Sequence, residues 1–129
     1  LHHTFLYDDF SNPWHIVASP VNPDNRIFVA LAGDALQQES GVSCLEIVQD
    51  INENGQTIYF LNELWRTTDP SFGTMHGIDM NYEEGFVYVS GRSDGTIYKL
   101  HSETGEILSS QELDNSCGIC TGGISIRKL

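Results

Sequence analysis

Read for its alternation of apolar and polar positions, the chain divides into short runs of period two. Arg26 to Ala32, Ser43 to Ile51, Thr57 to Leu64, Phe86 to Ser90, Thr96 to Leu100, Glu106 to Leu113 and Gly123 to Lys128 are rich in β-branched and aromatic residues. Such side chains pack well on a pleated surface, so each run predicts a strand. No long segment shows the 3.6-residue period of an amphipathic helix, and at most a helical turn is expected near Asp34 to Gln38 or Asp69 to Phe72. The runs are punctuated by Asn22-Pro23-Asp24-Asn25, Asn52-Glu53-Asn54-Gly55, Ser93-Asp94-Gly95 and Glu103-Thr104-Gly105. These are turn formers, because Gly, Asn and Asp tolerate positive φ or bond their own backbone. The pattern predicts an all-β chain of antiparallel hairpins.

The hairpins repeat. Trp14-His15-Ile16-Val17, a Pro/Asn/Asp turn and Ile27-Phe28-Val29-Ala30 parallel Met75-His76-Gly77-Ile78, the turn Tyr82-Glu83-Glu84-Gly85 and Val87-Tyr88-Val89-Ser90. An incomplete third copy begins near Thr121-Gly122-Gly123-Ile124, and the first unit is lengthened by an insertion between Gly33 and Val42. About 40 to 50 residues per four-stranded unit is the spacing of a propeller blade. The expected organisation is one module over residues 1–129. It has a terminal segment at 1–13, a blade at 14–65, a second blade at 75–113 and the start of a third at 117–129.

The segment MHGIDMNYEEGFVYVSGRSDGTIYKLHSETGEIL resembles the repeat of the YVTN and NHL-type β-propellers, with its HGI-like strand, VYV strand, DG turn and TGE turn. The resemblance covers residues 75–113 well and 14–65 loosely. It implies antiparallel four-stranded blades and a partial β-propeller that needs completion by further protein, since two blades leave sheet faces and edges in water. The completing protein is expected to be more blades of a longer polypeptide, copies of the same chain in one ring, or subunits joined by strand exchange into a fibre. Leu1-His2-His3-Thr4 reads as the interior of a longer or processed product.

Charge narrows the partners. Six Lys+Arg against 18 Asp+Glu give a formal net charge of −12, which repels phosphate backbones, so nucleic acid is not an expected partner. No stretch approaches the roughly 20 apolar residues of a membrane-crossing helix. An acidic chain with three cysteines is expected to be secreted or at a cell surface.

Candidate chemistry is sparse. His15 and His76 fall at matching places in the letter alignment of the repeat, at the start of the inner strand, and are the candidate metal ligands. The resemblance supports them, because inner-strand histidines bind copper in propellers of the nitrous oxide reductase type, and zinc or calcium serves in amidating lyases of NHL-like fold. Copper and calcium are therefore the cofactors considered, and imidazole also suits zinc and iron. The competing reading is a histidine that bonds a neighbouring backbone group. Cys117 and Cys120, spaced C-x-x-C, are read as a disulfide or a free pair, since a four-ligand zinc site needs a second pair and only Cys44 remains. Asp79, Glu83, Glu84 and Asp94 lie in or near turns and are read as solvated. His101 is read as facing solvent, and Trp14, Trp65, Phe72 and Tyr88 as core wedges between blades. There is no phosphate-binding glycine loop or H-E-x-x-H. The expected function is an extracellular structural or interaction module, non-catalytic by itself and able to self-assemble. The alternatives are part of a copper-type propeller enzyme and a subunit of an extracellular fibre.

Overall fold

Turn chemistry cuts the described residues into eight strands. The computed structural model describes residues 12–19, 25–33, 40–113 and 123–127. The strands are β1 (Pro13–Ala18), β2 (Arg26–Leu31), β3 (Gly41–Ile51), β4 (Thr57–Thr68), β5 (Met75–Asn81), β6 (Phe86–Gly91), β7 (Thr96–His101) and β8 (Ile107–Glu112). They form two four-stranded sheets in the orders β1-β2-β3-β4 and β5-β6-β7-β8, with every neighbouring pair antiparallel. The chain is all-β, and the two blade-like sheets are open rather than closed into a barrel.

Three turns of the second sheet share one design. In each, a glycine N–H returns to the carbonyl four residues back: Gly85 to Asn81 at 3.0 Å, Gly95 to Gly91 at 3.0 Å and Gly105 to His101 at 2.8 Å. The glycines lie at φ between 67° and 75°, a left-handed conformation in which a Cβ is unfavourable.

The two sheets stack face to face. From the first come Phe28, Ala30, Val42 and Cys44, from the second Met75, Ile78, Val87, Val89, Tyr98 and Leu100, and from the linker between them Phe72, all in one buried cluster. Burying each of the larger side chains contributes about 1.5–3 kcal/mol over leaving it in water. Polar bonds fasten the rim of this seam. The Trp65 indole N–H donates to Ser102 O at 3.1 Å, the Thr67 hydroxyl donates to Gly105 O at 2.6 Å, and Arg26 pairs with Glu103 at 2.6 Å. The ion pair is largely solvated and is worth no more than about 1 kcal/mol.

The linker between β4 and β5 is pinned to the β6–β7 turn by Asp94. Its carboxylate accepts the Tyr98 hydroxyl at 2.6 Å, the Gly73 N–H at 2.8 Å and the Thr96 N–H at 3.0 Å. Phe72 meets Tyr98 edge to face at 4.7 Å, closing the same corner with an apolar contact.

Some boundaries differ from the sequence reading. β4 continues past Leu64 to Thr68, because Trp65 and Thr67 are the residues that fasten it to the second sheet. Residues 123–127, expected to form a strand of a third blade, make no ladder; Ile126 N–H instead donates to Asp79 Oδ2 at 2.7 Å.

Candidate functional site

Among the described residues the inner strands β1 and β5 are sheet edges; the candidate histidines lie on them, and both are bulged. Pro13 pairs with Leu31 and His15 with Ala30, leaving Trp14 as the extra residue. Met75 pairs with Gly91 and Ile78 with Val89, again with one residue too many on the inner strand. A bulge at the same point of both units re-aims the side chains beside it.

This pairing corrects the letter alignment of the repeat. Ile16 lies opposite Val29 and Ile78 opposite Val89, so Ile16 and Ile78 are the counterparts. His15 therefore corresponds to Gly77, and Trp14 to His76. The histidines occupy neighbouring positions of the repeat, and successive side chains of a strand point to opposite faces.

Each histidine has a different neighbour. His15 Nδ1 accepts the Ile78 N–H at 3.1 Å, so its ring joins the inner edge of one sheet to the next. His76 stands against the Trp14 ring, with ring centroids 5.0 Å apart. Among the described residues, no three His, Cys, Asp or Glu side chains converge in a metal-binding group. Cys117 and Cys120 lie outside the described residues. Cys44 is a free thiol buried in the seam, where desolvation pushes its pKa up to about 12.

The outer face of the first sheet is apolar. Val29, Leu31 and Leu45 form a second buried cluster flanked by Ile27 and Leu61. Next to it Trp14 and Ile16 remain 59% and 56% exposed, walling a groove of about 350 Å³ with Pro13, Ile27 and Leu61. Trp14 was expected as a wedge between blades; it lies instead at the mouth of this groove. Trp65, Phe72 and Tyr88 are half-buried or buried, with Trp65 against Phe28 and Phe72 against Tyr98. Beside the apolar cluster, buried Ser43 donates to Glu63, which also holds Arg66 at 2.9 Å, so the polar atoms of this wall are satisfied.

A smaller cleft of about 210 Å³ opens between the sheets, lined by Ser19, Arg26, Tyr82, Glu83 and Glu103. The Ser19 hydroxyl there is the one buried side-chain oxygen or nitrogen without a partner among the described residues. His101 is half-buried, with Nδ1 accepting the Glu103 N–H at 3.1 Å and its ring edge-on to Phe86. Its work is to shape the β7–β8 turn.

Of the four carboxylates read as solvated, Glu83 and Glu84 are exposed, whereas Asp79 and Asp94 are structural. Asp94 accepts three hydrogen bonds, and Asp79 accepts the N–H groups of Met80 and Ile126. The Ser93-Asp94-Gly95 motif marked a turn, but its bond to Gly73, 21 residues away, has no sequence signal. What the rim and groove offer is an exposed aromatic, an apolar wall and an unpaired strand edge. Comparison with known protein families, curated proteins and solved structures returned no match.

Proposed function

We propose that this chain is a blade-stacking interaction module without chemistry of its own, whose open faces receive further blades. Those blades come from polypeptide continuous with this chain or from copies of it. One observation carries the reading: the outer face of the first sheet has the same pattern as the face by which the second sheet meets the first. Ile27 and Val29 on that outer face are the repeat counterparts of Val87 and Val89, which are buried in the seam. The seam's inner-edge bond also recurs. Ile78 N–H is received by a side chain of β1, and Ile126 N–H by a side chain of β5.

The test is association. Sedimentation of the purified chain, with binding of an apolar fluorescent dye followed in parallel, is expected to show assembly above 14.4 kDa or strong dye binding. The double variant Trp14→Ser/Ile16→Ser, altered only at exposed positions, is expected to suppress both. A 14.4 kDa monomer that binds no dye over a wide concentration range would falsify the proposal.

A further inference from the structure

The β3–β4 hairpin outreaches its sheet. Among the described residues, β2 accompanies β3 from Leu31 opposite Gly41 to Arg26 opposite Glu46, with one further bond from Ile47 N–H to Asn25 O at 2.8 Å. β3 and β4 stay paired beyond that point through five more pairs, from Ile47 opposite Leu61 to Ile51 opposite Thr57. A two-stranded ribbon thus projects by about 17 Å, at about 3.4 Å per residue. The corresponding hairpin of the second sheet has strands of only six residues.

The ribbon is apolar on both faces. Cross-strand partners share a face, so Val48, Phe60 and Ile58 lie on one side and Ile47, Leu61 and Tyr59 on the other. Ile51, Ile58 and Phe60 are 66%, 36% and 38% exposed. An isolated two-stranded ribbon is marginal in water, yet the tip of this one is closely specified. Asn52 Oδ1 accepts the N–H groups of Asn54 and Gln56 at 3.0 and 2.9 Å, and Asn52 Nδ2 donates to Gln56 Oε1 at 3.1 Å. A ribbon held stiff in advance loses little entropy when it docks.

Charge selects the occupant. The charged side chains from Glu46 to Asn62 are Glu46, Asp50 and Glu53, with no Lys or Arg among them. The ribbon of a second copy would bring the same three carboxylates, so like-charge repulsion works against ribbon pairing with ribbon. We propose that the ribbon is a docking arm for a partner protein offering an apolar cleft bordered by Lys and Arg. Leu61 also walls the outer-face groove, so one side of the arm continues that face, while the side carrying Val48, Ile58 and Phe60 lies outside the groove; the proposal stands whether or not stacking occurs.

The probe is a synthetic amphipathic Leu/Lys peptide, with a Leu/Glu peptide of the same pattern as its control, titrated against the intact chain by fluorescence anisotropy. The Leu/Lys peptide is expected to bind and to weaken as salt rises, while the Leu/Glu peptide does not bind. Ile58→Ser/Phe60→Ser is expected to weaken binding about tenfold or more. Should that variant fail to fold, Asp50→Asn/Glu53→Gln keeps the apolar faces and is expected to weaken binding and flatten its salt dependence. Equal binding by the variants, or equal binding of both peptides, overturns the proposal. So does self-association that grows with salt and is lost in the Ile58/Phe60 variant, which assigns the arm to a second copy. Loss of assembly in the Trp14/Ile16 variant with peptide binding intact separates the arm from the blade-stacking reading.

Discussion

The Tyr98 hydroxyl ends 2.6 Å from Asp94 Oδ2, in a corner that Phe72 shields from water. Burial first, and then the bond to the neighbouring carboxylate, push the phenol from the ordinary 10 up to about 12. A raised acid pKa favours the protonated folded form, so this contribution is complete below pH 10 and is lost as pH rises from 10 towards about 12. Spectrophotometric titration is expected to find one of the five tyrosines ionising late, and Tyr98→Phe to remove that late phase. The same variant is expected to lose about 1 kcal/mol of stability at neutral pH, through one missing hydrogen bond. At this scale the sequence was least legible. Asp94 read as a turn residue because its partner Gly73, 21 residues away, is brought near only by the pairing of β5 with β6. The two histidines aligned by letter, yet their positions in the repeat differ by one, because strand pairing and not spelling sets the register.

The turns were the most legible elements, and two of their glycines separate backbone strain from crowding. Gly55 and Gly105 have nearly equal φ, 75° and 73°. A Cβ at Gly55 meets nothing within 4 Å, while one at Gly105 lies 2.5 Å from both Trp65 Cε3 and Thr67 Oγ1. Gly55→Ala is therefore expected to cost only the conformational penalty, about 1–2 kcal/mol. Gly105→Ala adds a clash in the seam and is expected to cost about 3–5 kcal/mol. Denaturant titration of the two variants checks the difference; equal losses would mean that the β7–β8 turn yields without disturbing Trp65. Strands rich in Val, Ile and Tyr, such as β6 and β7, were plain from alternation. The far end of β4 was not, because Arg66 and Thr67 carry no strand pattern and are ordered by their bonds to Glu63 and Gly105.

For the whole molecule, period-two alternation with a repeat was enough to fix an all-β chain of two antiparallel four-stranded sheets. It did not announce the projecting ribbon, since a long hairpin and a short one have the same local pattern and differ only in where β2 stops pairing. Of the expected third unit only residues 123–127 are described; Gly123-Ile124-Ser125-Ile126 spells a strand, but these residues have no ladder, and Ile126 N–H donates to the Asp79 carboxylate of the second sheet.

Cys44 sits in the seam, 0% exposed, with its thiol pushed to about 12 by desolvation. Its sulfur is in effect a clock for the parting of the sheets. With Cys117 and Cys120 replaced by Ser, a thiol-specific reagent at mildly alkaline pH should modify Cys44 at the pace of seam opening, not at the pace of simple collision. A labelling rate unaffected by Gly105→Ala would show that the reagent enters by a path that leaves the two halves together.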